Sequence, residues 1–135
     1  MPSVALATAV ENYLAAGFTA LPIIGAIVKQ AREKGDAFVT VQYPTSSSGQ
    51  MSIGSPGSNV WRTEGTIRFV ITGRKEGGAP EAMAWADEIA DLFRGKHFDG
   101  VRTEAPSSPT IDNDNDKGMF YGLSFIVPYA HDYLG

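Results

Sequence analysis

The densest cluster of chemistry-bearing side chains in this 135-residue chain is Asp112-Asn113-Asp114-Asn115-Asp116-Lys117-Gly118. Carboxylates at the first, third and fifth positions place oxygens around a hard cation, as a calcium loop does. The pattern then departs from that loop. Lys117 stands where the sharp turn wants glycine, and Leu123 stands where a bidentate Glu would close the shell. A solvated turn is therefore the reading kept, with weak calcium binding as its alternative. His97 and His131 are the only histidines, and neither has the spacing of a helical metal pair. No Gly-x-Ser-x-Gly elbow accompanies them, and Asp132, next to His131, falls on an expected C-terminal tail. Both histidines are read as surface residues. Gly73, Gly77 and Gly78 lie between a strand and a helix, but their spacing matches neither the P-loop nor the dinucleotide fingerprint. The chain has no cysteine, which removes disulfides, thiolate metal sites and thiol nucleophiles together. Nothing here supports an enzyme, a metal site or a cofactor.

The elements around these residues are easier to read than the residues themselves. Thr66 to Thr72 alternates, with Ile67, Phe69 and Ile71 on one face, the period of a half-buried strand. Pro80 then opens a segment in which Ala82, Trp85, Ala86, Ile89 and Phe93 share one helical face, while Glu81, Asp87, Glu88 and Asp91 occupy the others. Gly95 suits the position just past the helix end. An earlier helix begins near Ser3, carries Leu6, Val10, Leu14 and Phe18 at four-residue spacing, and ends at Gly17. Leu21 to Ile27, Phe38 to Tyr43, Val101 to Ala105 and Phe120 to Tyr129 read as strands, the last stopped by Pro128. These elements predict one α+β domain: a largely antiparallel sheet, two helices on one of its faces, and a long projecting hairpin loop.

That loop, residues 44–59, holds six Ser, three Gly and two Pro around Met51 and Ile53. It lacks the apolar surface to offset its ordering entropy, so a mobile arm is expected. Residues 130–135 are expected to form a tail. Net charge is −4, all of it contributed by residues 61–135. An acidic chain disfavours tight nucleic-acid binding yet suits a surface that DNA slides past. The longest nearly apolar run, Phe18 to Val28, is too short to span a bilayer and contains Pro22, so no membrane role is expected.

A set of anchors carries a resemblance over nearly the whole chain. These are Leu21-Pro22-Ile23 after the first helix, Arg62-x-x-Gly65 leading into the alternating strand, and Gly78 before a helix ending Ala86-Asp87-x-Ile89-Ala90-x-x-Phe93. Val127-Pro128-Tyr129 closes the last strand. Together they resemble the tail terminator proteins of long-tailed bacteriophages, including the λ minor tail protein U type and prophage and gene-transfer-agent versions. One segment departs: Gly25 to Gln30 replaces the family's aromatic-rich stretch after the first strand. The resemblance implies a virion protein assembled in the host cytoplasm. It would form a ring, usually a hexamer, on the last ring of the major tail tube protein. There it would stop tube growth and offer a face to the head connector, while DNA passes without specific binding. It also implies roles for particular residues. Met51 and Ile53 in the arm, with Trp61 and Arg62 at its base, are interface candidates. Glu81, Asp87, Glu88 and Asp91, with Asp112, Asp114 and Asp116, are pore-lining candidates, an ordinary solvated face being the other reading of the helix acids. Another tail-tube, neck or head-completion part is the alternative, and a small cytosolic hydrolase or metal-binding domain a more distant one.

Overall fold

The computed structural model describes residues 4–30, 37–51, 59–74, 78–112 and 120–134. Helix α1 (Val4–Gly17) is followed by β1 (Ile23–Ile24), β2 (Phe38–Gln50) and β3 (Val60–Arg74). Helix α2 (Gly78–Phe93), β4 (His97–Phe98), β5 (Val101–Thr103), β6 (Thr110–Asp112) and β7 (Phe120–Leu134) complete the chain. These strands form one sheet in the order β1-β2-β3-β7-β5-β4, with β6 also paired to β7. Among the described residues every strand pairing is antiparallel except that of β1 with β2. This is the α+β domain expected.

The predicted stripes face each other in the core. Ile67, Phe69 and Ile71 of β3 lie opposite Val127, Phe125 and Leu123 of β7, and all six are buried. Leu6, Val10 and Leu14 of α1 and Phe18 just past its end, with Ala82, Ala86, Ile89 and Phe93 of α2, join them in one buried cluster. The ring of Phe69 packs against those of Phe93 and Phe125, with centroids 4.9 and 5.4 Å away. Trp85, expected on the buried stripe, is only half-buried and packs at the margin of the core; Phe93 occupies the centre. Helix α2 ends as expected, with Gly95 in the left-handed region (φ 60°). The buried Thr103 hydroxyl secures that end, donating to the Phe93 carbonyl and accepting from the Lys96 N–H.

Four expectations need correction. The strand expected over Leu21–Ile27 is two residues long. Gly25 to Val28 instead form a tight turn, closed by the Gly25 N–H on the Val28 carbonyl. Residues 44–50, expected in the loop, continue β2 and pair with β3 as far as Gln50 opposite Trp61. Serine and threonine side chains are compatible with a ladder whose backbone bonds carry the pairing, and Thr45–Thr66 and Ser48–Thr63 hydroxyl pairs at 2.9 Å reinforce it. Likewise residues 130–134, expected as a tail, complete β7 and pair with Val60–Glu64.

Pro128, finally, does not stop the strand. Its carbonyl accepts from the Glu104 N–H, so its backbone polar groups point away from β3. The missing N–H removes no bond from the β3–β7 ladder, which runs past it unbroken. Residues 52–58 and 113–119, and with them Ile53, Asp114 and Asp116, lie outside the described residues.

Candidate functional site: the projecting arm and the acidic helix

Toward the end of the sheet beyond Ile67, strands β2, β3 and β7 run on together as an arm formed by Thr45–Gln50, Val60–Thr66 and Pro128–Leu134, with β5 paired to its root at Tyr129–His131. A bulge marks its root. The register of β2 on β3 shifts between Gln42 and Thr45, and Pro44 sits in that irregularity, where no ladder donor is required. Opposite it, Gly65 lets the strands close up: a Cβ there would lie 2.1 Å from the Thr45 carbonyl oxygen and 2.9 Å from the Tyr129 hydroxyl. Tyr129 is buried across this glycine, and among the described residues its hydroxyl has no hydrogen-bond partner. Burial pushes its pKa up.

On the outer face of the arm, Arg62 lies opposite Asp132 and forms a two-pronged ion pair with it, at 2.7 and 3.2 Å. Arg102 approaches the same carboxylate at 3.7 Å. The Arg62 hydrogen bonds hold Asp132 below the usual carboxylate range, and Asp132 in turn raises the pKa of Arg62. On the inner face, Ser48, Thr63 and His131 lie side by side in register. The structure corrects the surface assignment of His131, which is 7% exposed; among the described residues its buried Nδ1 has no partner. Burial pushes its pKa down, against the pull of neighbouring Asp132.

The interface candidates among the described residues, Met51, Trp61 and Arg62, fall on this arm. Met51 is half exposed at the end of β2, Trp61 and Arg62 are partly buried in β3, and Tyr133, opposite Trp61, is exposed. A shallow cavity of about 180 Å³ is lined by Ser47, Ser48, Gly49, Met51, Arg62 and Glu64. The structure thus brings Met51 and Arg62 to one cavity, while Trp61, next to Arg62 in β3, lies on the opposite face of the same end. Glu81, Asp87, Glu88 and Asp91 all lie on the exposed face of α2, where Asp91 pairs with Arg94. Asp112 ends β6, its backbone opposite Gly122. Among the described residues no group of three or more His, Asp or Glu is arranged to hold a metal ion, and no helix is long and apolar enough to cross a membrane.

No protein-family model and no curated protein matches the chain. The fold does recur. A solved structure 14% identical to this chain superimposes with a TM-score of 0.59, over 96% of this chain and 92% of its own. At that identity the likeness concerns architecture alone.

Two polar features escape sequence reasoning. His131 and Asp132 read as tail and surface, because Pro128 reads as a strand terminator until its facing is known. Glu11 reads as one more helix residue, although it is completely buried. Its side-chain oxygens accept from the backbone N–H groups of Ala26 (3.2 Å), Ile27 (2.8 Å) and Val28 (2.8 Å) and from the Tyr43 hydroxyl (2.7 Å). Burial and then the Glu11 bond push the Tyr43 pKa far up. A legible signal exists: Glu11 sits four residues after Ala7 and three before Leu14, on the apolar stripe itself.

Proposed function

We propose that this protein is a tail terminator of a long-tailed bacteriophage. In this reading it is a structural subunit that closes into a ring, with six copies expected, on the end of the tail tube. It stops addition of the major tail tube protein and offers the head connector a surface to join. The sequence anchors support the reading, and one structural observation carries it furthest. Strands β2, β3 and β7 run on together beyond Ile67 to an end that holds Met51, Trp61 and Tyr133, side chains of the kinds enriched where proteins meet. A closed ring needs two different patches that fit each other on successive subunits. The arm supplies one and the helix-covered body the other. In such a ring the acidic face of α2, with Glu81, Asp87, Glu88 and Asp91, faces the channel, where like charge keeps DNA from sticking.

The test is assembly. The purified protein, alone and with polymerising tail tube protein, is followed by light scattering and negative-stain microscopy. Rings on tube ends and an arrest of tube elongation are expected. A protein that stays monomeric beside the tubes and leaves their length distribution unchanged refutes the reading. Charge reversal of Asp87, Glu88 and Asp91 to Lys should spare the fold and ring formation but slow DNA passage, read as genome ejection from assembled particles. Unchanged ejection would remove the helix from the channel.

A further inference from the structure

Beyond Thr40, β2 has a single strand neighbour among the described residues: β1 covers only Val39 and Thr40, and β3 lies on the other side. The Met51 N–H donates to the Val60 carbonyl, so odd-numbered residues from Thr45 to Met51 turn their backbone groups toward β3. Ser46, Ser48 and Gln50 therefore turn theirs outward, an alternating row of donors and acceptors along an open edge. Thr45 to Ser48 are all exposed. Natural sheets blunt such edges with lysines, prolines or bulges. Here Pro44 and the bulge guard only the root of the arm, and the sequence from Ala37 to Trp61 contains no charged residue.

We propose that this edge, residues 45–50, pairs antiparallel with the same edge of a second copy about a two-fold axis at Ser48. The row of backbone groups fits another strand, and the sequence selects the copy. Pairing about Ser48 sets Ser46 opposite residue 50, Ser47 opposite Gly49 and Thr45 opposite Met51. No like charges meet at any rung, the usual bar to self-pairing. Ser46, Ser48 and Gln50 are each of the hydrogen-bonded type, so three facing pairs exchange about six backbone bonds. The strand is short and buries less than a standard interface of roughly 1,600 Å², so the dimer is transient and concentration-dependent. Because the same patch is used on both copies, this contact is distinct from the unlike patches that close a ring, and it does not rest on the tail terminator reading.

Cysteine at position 48 tests it in a chain with no other cysteine. At the axis the two Cα atoms stand about 5.5 Å apart, within disulfide range. Ser48→Cys should form a covalent dimer under mild oxidation, whereas Ser107→Cys, on another exposed segment, should not. Ser48→Pro removes the outward N–H together with the hydroxyl paired to Thr63, so Ser48→Ala, which loses the hydroxyl alone, is its control: both should melt slightly below wild type, while Ser48→Pro weakens self-association about tenfold or more relative to Ser48→Ala, measured by sedimentation equilibrium. In hydrogen exchange, the Ser46 and Ser48 amides should become protected as concentration rises. Equal cross-linking of both cysteines, or Ser46 and Ser48 amides that exchange freely at every concentration, overturns the proposal. Protection appearing only when tail tube protein is added also overturns it, and assigns the edge to a strand from that protein.

Discussion

Replacing Glu11 with Ala should unfold the protein far more readily than its position in a surface helix suggests. Four donors converge on the Glu11 side chain. Ala26 and Ile27 are exposed, so water can replace the lost acceptor for their N–H groups at small cost. Val28 and Tyr43 are half-buried, and each donor stranded there costs about 1–3 kcal/mol. Allowing partial access of water, the substitution should cost about 3 kcal/mol. For a chain of this length the unfolding entropy is about 0.28 kcal/mol/K, so Tm should fall by about 10 °C. Gly25 supplies a second arm to the experiment. A Cβ at that position would lie 2.1 Å from the Glu11 Oε1 atom. Gly25→Ala should therefore be strongly destabilising in the wild-type chain and much less so in the Glu11→Ala background, giving a coupling energy of about 1–3 kcal/mol in a double-mutant cycle. Chemical denaturation of the four proteins measures it. A loss below about 1 kcal/mol for Glu11→Ala, or additive effects in the cycle, would refute the reasoning.

Phe93→Ala should cost about 3–5 kcal/mol, whereas Trp85→Ala, at the half-buried margin, should cost clearly less; denaturant midpoints rank them. Thr103→Val keeps the shape but strands the end of α2, and a loss of about 1–3 kcal/mol is expected in thermal melts. Acid should weaken the fold in two stages. His131 has a folded pKa below its ordinary 6.5, so the unfolded chain takes up the proton first. Stability present above pH 6.5 is then lost as pH falls toward the folded value. Asp132, also depressed, adds a second loss below its ordinary 3.8. His131→Phe should flatten the first stage, seen as a melting temperature nearly constant between about pH 7 and pH 5.

What repeats along the chain is legible in its sequence, and what depends on facing is not. The strand Thr66–Thr72 and both helices can be read because burial recurs at a fixed period along each of them. Ser46 to Gln50 cannot be read as strand, since a ladder can be held by backbone bonds and hydroxyl pairs without a buried side chain. Pro128 misleads for a related reason: the residue type says that a donor is missing, and only the pairing says on which side. Of the candidate residues, Met51, Trp61 and Arg62 are singled out in the sequence by their place in or beside the loop, and the exposure of the α2 acids is legible from their period. Asp132 and Glu11 depend on partners 70 and up to 32 residues away in sequence (Arg62 and Tyr43), His131 takes its place beside Thr63, 68 residues away, and no local pattern reports these neighbours.

The unbroken course of β3 and β7 has a mechanical consequence. Each is a 15-residue strand, about 50 Å from end to end. One end holds Trp61 and Tyr133, and the middle holds Phe69 and Phe125 against Phe93. With no break in the β3–β7 ladder between them, a sideways load at the tip is passed along both strands, past the β5 pairing at Tyr129–His131, toward the aromatic rings packed in the core.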